Sequence, residues 1–456
     1  MKKGKREKQK VIELDALAQI HPNAAGIDVG AEAFYVAVPA GRDVESVRTF
    51  ATFTADIHRL ADWLKACQIE TVAMESTGVY WIPLYEILEA QGFEVYLVNA
   101  RHLKNVSGRK TDVLDCQWLQ QLHTYGLLKT SFRPPEQICA IRALVRQREM
   151  LVQYRAAHIQ HMQKALDLMN LRLTNVLSDI TGVTGMKIIR AIVAGEREPR
   201  KLASFRDGHC TKSEEEIQKS LEGNYKREHL FALQQALELY DFYGQQLQNC
   251  DEELETLYDD FELPDSSPTP PPISRTRKRR KNQPHFELTQ ALFRMTGGID
   301  LTQIDGLNAL TVQDILSETG VDMSQWPSVK HFCSWLCLAP NNRITGGKVK
   351  RSSTPPTQNR ALTAFRMAAQ SLAKSNSALG AYYRRMRTLH GPSQANTATA
   401  HKLAQVFYFM LKRGEPYRAL EADYYEKQHR ERTIRHLQRK AASFGLRLEP
   451  ATNFVP

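Results

Sequence analysis

Between residues 24 and 130 the apolar positions follow two alternating rhythms. "AAGIDVG" is a short apolar run that ends in Asp and Gly, and "AFYVAVPA" and "VRTFATF" follow closely as β-rich runs. "DIHRLADWLKACQ" then has apolar residues at helical spacing. "ETVAMES" reads as a buried strand, "VYWIPLYEILEAQG" as a helix halted at Gly92, and "FEVYLVN" as a fifth strand. "GRKTDVLDCQWL" opens the next helix. Three strands, then helix, strand, helix, strand and helix predict an α/β domain built on a mixed sheet.

From about residue 136 the pattern becomes helical and basic, in "ICAIRALVRQREMLVQYRAAHIQHMQKALDLMN". Farther on, Leu230, Leu233, Leu237, Tyr240, Leu247 and Leu254 form a heptad-like seam that Gly244 and Asp251 should break. The seam suits either a bundle within one chain or a self-association coil. Residues 263–284, "LPDSSPTPPPISRTRKRRKNQP", read as a linker, because proline, serine and a self-repelling basic run oppose regular structure. "DITGVTGMKIIRAIV" and "QIDGLNALTVQDIL" echo each other; they suit a phosphate-holding helix-hairpin-helix or an ordinary helix start. The chain is helical again after "CSWLCLAPNNRITGGKVKRSSTPPTQNRAL", and its last forty or so residues read as a charged peripheral helix or tail.

Composition narrows the partner. The chain has 456 residues, 42% of them hydrophobic and 24% charged, enough for several cores. A net charge of +11 favours an anionic partner, most often nucleic acid. The seven cysteines show no disulfide framework, and no second Cys/His pair joins Cys333 and Cys337 to complete a zinc site. The basic start "MKKGKREKQK" leads into no apolar core, so no signal peptide is expected. No apolar run is long enough to span a bilayer. These features predict a reducing, cytoplasmic compartment with no membrane partner.

Four acids stand at chemically suggestive places. Asp28 ends the first strand and Glu75 the fourth, and Asp112 and Asp115 share a face at the start of the helix after the fifth. Acids in a first helical turn are ordinarily dipole partners. Four carboxylates converging from strand ends and a helix would repel strongly unless cations lay between them. Two Mg²⁺ ions about 3.5–4 Å apart would satisfy them and suit phosphodiester chemistry. Arg109 and Lys110 beside the acids would face a phosphate backbone. "GIDVG" also begins sugar kinases and actin-like ATPases, but the second Asp-Gly hairpin and Gly-rich adenosine loop of those chains are missing.

In order, "GIDVG", "MESTGVYW", "RKTDVLDCQWL", "DITGVTGMKIIRAI" and "LAPNNRITGGKV" resemble the DEDD-type insertion-sequence transposases, recombinases guided by a bridge RNA. The resemblance runs from about residue 22 to about residue 415. It implies α/β plus all-α architecture: a ribonuclease H-like (RuvC-like) mixed-sheet domain, a helical coiled-coil middle and a helical C-terminal transposase domain. The chain then divides into a basic tail (1–21), the catalytic domain (22–135), the coiled-coil region (136–262), the linker (263–284), the transposase domain (285–415) and a charged tail (416–456).

By motif, Asp28, Glu75, Asp112 and Asp115 match the family's acidic, metal-binding tetrad. The family's nucleophile is a serine before Gly, which forms a covalent link to DNA; here that position is Thr345, in "RITGG". Ser352 and Ser353 are alternatives should the loop fold back. Arg343, Lys348, Lys350 and Arg351 would hold phosphates. The resemblance also implies a nucleoid-associated protein, an element-encoded guide RNA and a homo-oligomer, dimer or tetramer, in which the acids of one subunit meet the hydroxyl of another. Two other functions fit the same acids less fully: a structure-selective, Holliday-junction resolvase-like nuclease that uses water, and an inactive nucleic-acid-binding relic.

Overall fold

The computed structural model describes residues 18–76, 78–99, 111–263, 269–271, 282–357, 359–418, 421 and 424–449. Arg109, Lys110 and the basic run from Arg275 to Lys281 lie outside the described residues. The chain divides into two compact units, one up to residue 133 and one from residue 134.

The first unit is a five-stranded sheet with helices on both faces. Its strands are β1 (Ala24–Val29), β2 (Ala33–Ala37), β3 (Val47–Ala51), β4 (Thr71–Glu75) and β5 (Glu94–Val98), in spatial order β3-β2-β1-β4-β5. β2 runs antiparallel to β1 and β3, while β1, β4 and β5 are parallel. The parallel pairs need crossovers, supplied by α1 (Thr54–Ala66) and α2 (Trp81–Ala90). Alternation then sorts the side chains. Ala25, Ile27 and Val29 of β1 and Val72 and Met74 of β4 join Leu60, Leu64, Leu84 and Leu88 in one core. Ala73 of β4 faces the other way and packs with Val98 and Leu119, the latter on α3 (Asp112–Thr124). At the far end of α3, buried His123 stacks on His21 at 4.8 Å and contacts the Thr71 hydroxyl at 2.8 Å.

In the second unit two helices of 33 residues, α4 (Glu136–Leu168) and α6 (Arg227–Asp259), lie antiparallel; α5 (Val183–Val193) and three shorter helical pieces fall between them in sequence. The predicted seam is an intrachain one. Leu233, Leu237, Tyr240, Leu247 and Leu254 are buried, and Cys250 of α6 donates to Leu144 O of α4. The expected breaks at Gly244 and Asp251 do not occur, because partners on α4 use both positions. Gly244 lies against the Arg155 guanidinium, which covers the Tyr240 ring at 4.4 Å. Asp251, 1% exposed, accepts from Arg148 at 2.5 Å and from the His285 amide at 3.1 Å.

The two echoing segments are helix starts, and they differ. α5 begins directly after Gly182, whereas α7 (Ala309–Thr319) begins after a left-handed Gly306 (φ 86°) and an Asn308 side-chain cap. Only a four-residue helix or a 3₁₀ turn precedes each, so neither forms a helix-hairpin-helix.

The C-terminal part carries a hairpin, β6 (Asn341–Thr345) and β7 (Lys348–Ser353), and helices α8 (Arg360–Ser371), α9 (Ala378–His390), α10 (Pro392–Arg413) and α11 (Tyr424–Ser443). All seven cysteines are free. Among the described residues no helix is long and apolar enough to cross a membrane.

Candidate active site

Strand alternation decides which acids can meet. Gly26 and Asp28 lie on the face of β1 opposite Ile27, and parallel pairing sets Gly26 beside Ala73 and Ile27 beside Met74. One step further along the same register, Asp28 comes beside Glu75 at the carboxyl ends of both strands. Both acids therefore face α3. The Thr111 hydroxyl accepts from the Leu114 amide and caps α3, so the helix starts at Asp112 with Asp115 one turn on. α3 lies directly over Gly26, where a Cβ would stand 2.3 Å from the Gln120 nitrogen and 2.4 Å from the Cys116 carbonyl oxygen. That close approach carries the first turn of α3, two aspartates included, to the Asp28 end of the strand. Sequence reading passed over Gly26; the signal was its place two residues before Asp28, on the same face.

The electrostatics follow from this packing. The half-buried Asp28 carboxyl is pushed up to about 6, first by burial and then by the charges of Asp112, Asp115 and Glu75, against a smaller pull from the Val29 amide. The Cys116 thiol beneath it is pushed up to about 12, by burial first and then by Asp28. Like charges raise a carboxyl in this way when nothing neutralises them. Hard carboxylate oxygens around an unneutralised centre are the donor set that a divalent cation takes, so the residues fit such an ion. The four acids are near enough to repel yet are not closed into a cage. Among the described residues no three His, Cys, Asp or Glu side chains stand as a ready metal group.

Thr345 is at the tip of the β6–β7 hairpin, not in the loop expected there. It pairs with Lys348 across Gly346 and Gly347 (φ 57° and 74°), left-handed conformations that a two-residue hairpin turn of this type requires. Thr345, Lys348 and Lys350 are exposed, and Arg343 pairs with Arg351 in the ladder. Ser352 and Ser353 pair with Asn342 and Asn341 near the other end of the hairpin. Ser352 is four residues from Lys348, about 13 Å at roughly 3.3 Å per residue. A phosphate on Thr345 is thus out of reach of either serine, and the folded-back loop that would have brought them together is replaced by a strand.

Two family descriptions match this chain in the order that the motifs suggested. Residues 25–171 match the DEDD transposase of the IS110 type, and residues 300–384 match "Transposase IS116/IS110/IS902 family". No protein with a curated description matches the chain. The first match holds all four acids and the second holds Thr345, and together they take up just over half of the sequence. With both transposase domains present in sequence, the chain belongs to the IS110-type DEDD transposases and is a DNA transposase of an insertion sequence.

Proposed function

We propose that this transposase cuts and rejoins the DNA of its element through a covalent protein–DNA link, guided by an RNA that the element encodes. The carrying observation is the packing of α3 on Gly26, which brings Asp28, Glu75, Asp112 and Asp115 to one end of a sheet compatible with the ribonuclease H arrangement. In this reading the four acids hold two Mg²⁺ ions. The ions supply Lewis-acid stabilisation of charge on the oxygens of the scissile phosphate. The Thr345 hydroxyl attacks phosphorus: its Oγ–P bond forms, the bond from phosphorus to one deoxyribose oxygen breaks, and the hydroxyl proton leaves as the freed oxygen gains one. The number of phosphodiesters is conserved, so rejoining needs no outside energy source. Arg343, Lys348, Lys350 and Arg351 hold the flanking phosphates, and by sequence Arg109 and Lys110 serve as further phosphate contacts. The protein works as a homo-oligomer in which the acids of one subunit serve the hydroxyl of another.

The test uses the full chain and DNA carrying the element ends. Asp28→Asn should melt normally and lose Mg²⁺-dependent strand cleavage. The unmodified protein should leave a covalent adduct on a denaturing gel, and its co-purified RNA should map next to the reading frame. Cleavage that survives Asp28→Asn would remove the metal role of that residue. Cleavage with no adduct would move the protein to the water-using nuclease, and binding with no cleavage to the inactive relic.

A further inference from the structure

The stretch expected as a charged tail, 416–456, includes an ordered helix that closes a cavity. Tyr425 on α11 packs on Tyr382 of α9 with ring centroids 5.2 Å apart, and Arg385 donates to its backbone oxygen at 2.9 Å. The Tyr417 hydroxyl donates to Asp305 at 3.0 Å and pins the connecting segment. Between α10, that segment and the start of α11 lies a cavity of about 480 Å³, within the roughly 300–1,000 Å³ of small-ligand sites.

Its lining is aromatic and cationic. Phe409 and Tyr424 line it and keep 37% and 36% of their surface exposed. The Tyr424 hydroxyl accepts from Gln428 at 2.8 Å, which steadies the ring. Lys402, Arg413 and Arg418 also line it, with the Arg413 guanidinium 4.6 Å from the Phe409 ring centre and the Lys402 ammonium 5.6 Å from that of Tyr425. Among the described residues no carboxylate is ion-paired with these three cations, although exposed Glu415 also lines the cavity. Lys402 is half-buried, and burial together with the charge of Arg432 holds its ammonium below the usual lysine range. A half-buried cation with no ion-paired carboxylate is costly, and an anion in the cavity relieves that cost.

We propose that this cavity takes one unstacked nucleotide of a single strand, its base stacked on Phe409 and Tyr424 and its phosphate held by Lys402, Arg413 and Arg418. Partly exposed aromatic rings beside cations suit a base with its phosphate, and a base still stacked in a duplex cannot enter. The aromatic and cationic residues of the cavity, from Lys402 onward, lie beyond the second family match, which ends at residue 384. The proposal rests on the reading that this chain handles nucleic acid, but its readout is binding, so it stands or fails separately from cleavage.

The experiment measures affinities of the full chain for labelled oligothymidylate, oligouridylate and a short duplex at fixed salt. Phe409→Ala and Tyr424→Ala should each weaken single-strand binding roughly tenfold and leave duplex binding unchanged. Lys402→Gln should lower the log–log salt slope on the single strand by roughly 0.7. In the unmodified protein, photocrosslinking through halogenated pyrimidines should map to Phe409 or Tyr424, which decides the matter even if a variant fails to fold. The thymidylate and uridylate arms tell which strand supplies the nucleotide. Unchanged single-strand affinity in natively melting Phe409→Ala and Lys402→Gln proteins, or crosslinks that map elsewhere, overturns the proposal.

Discussion

Gly26 of β1 lies under the backbone of α3, so close that a Cβ there would stand 2.3 Å from the Gln120 nitrogen. Backbone cannot yield as a flexible side chain can. Gly26→Ala should therefore cost about 1–3 kcal/mol of stability, as other overpacked sites do. It should also lift the first turn of α3, with Asp112 and Asp115, away from Asp28. Cleavage per folded molecule should then fall well below that of Val72→Ala, which truncates a buried side chain on the opposite face of the sheet. Thermal melts paired with cleavage rates decide this; equal residual activity in the two variants removes the positioning role of Gly26.

The hairpin makes the nucleophile assignment testable one residue at a time. Thr345→Val keeps the β-branched shape and deletes the hydroxyl, so the covalent adduct should vanish. Thr345→Ser should retain or increase it, since a primary alcohol is less crowded and its χ1 is freer. Ser352→Ala with Ser353→Ala should leave the adduct in place, because both lie near the other end of the ladder. Adduct that persists in the Val variant and disappears in the double serine variant would transfer the role to the serines.

Asp251 and Arg148 form a buried pair, 1% and 7% exposed. Asp251→Ala strands the guanidinium between α4 and α6 and leaves the His285 amide without that acceptor. Removing one partner of such a pair costs about 3–5 kcal/mol. Replacing both residues with apolar ones of similar volume, Arg148→Met with Asp251→Leu, should recover most of that loss. Denaturant midpoints of the single and double variants test this; a single variant as stable as the unmodified protein contradicts it.

His123 gives the first unit an acid limit. Burial, and to a lesser degree His21, hold its imidazole down to about 4. Thr71 Oγ donates to the Glu94 carbonyl at 2.9 Å, so it accepts from His123 Nε2–H, and the ring is neutral with its proton on Nε2. The unfolded chain binds that proton near 6.5 and the folded chain near 4. Stability from this group is therefore complete above about 6.5 and is lost as pH falls towards 4, by an amount of order 3 kcal/mol. Melting temperature should fall over that window, and His123→Gln should flatten the fall. An unchanged pH profile in that variant would assign the acid sensitivity to other groups.

The strand and helix succession from residue 24 to Thr124 was legible because its periods are clean: short apolar runs between punctuating glycines and acids, then helical spacing. The acids were legible for the same reason, since they end those elements. Alternation does not reveal how closely α3 approaches β1. That is a steric fact about Gly26 and two residues, Cys116 and Gln120, some ninety positions away, and it is what gathers the acids.

The seam of α6 was visible as a repeat, but the repeat is indifferent to whether the facing helix belongs to the same chain. Packing against α4 decided that, and it turned Gly244 and Asp251 from expected breaks into sites filled by arginines. Thr345 stood out by motif, while its separation from Ser352 and Ser353 came from strand pairing, which converts a few residues of sequence into a fixed length. The aromatic cavity was hidden for the opposite reason. Tyr417 and Tyr424 fall in the stretch read as a charged tail while Phe409 belongs to the helix before it, and only the return of α11 onto α9 and α10 brings their rings and the cations around one space.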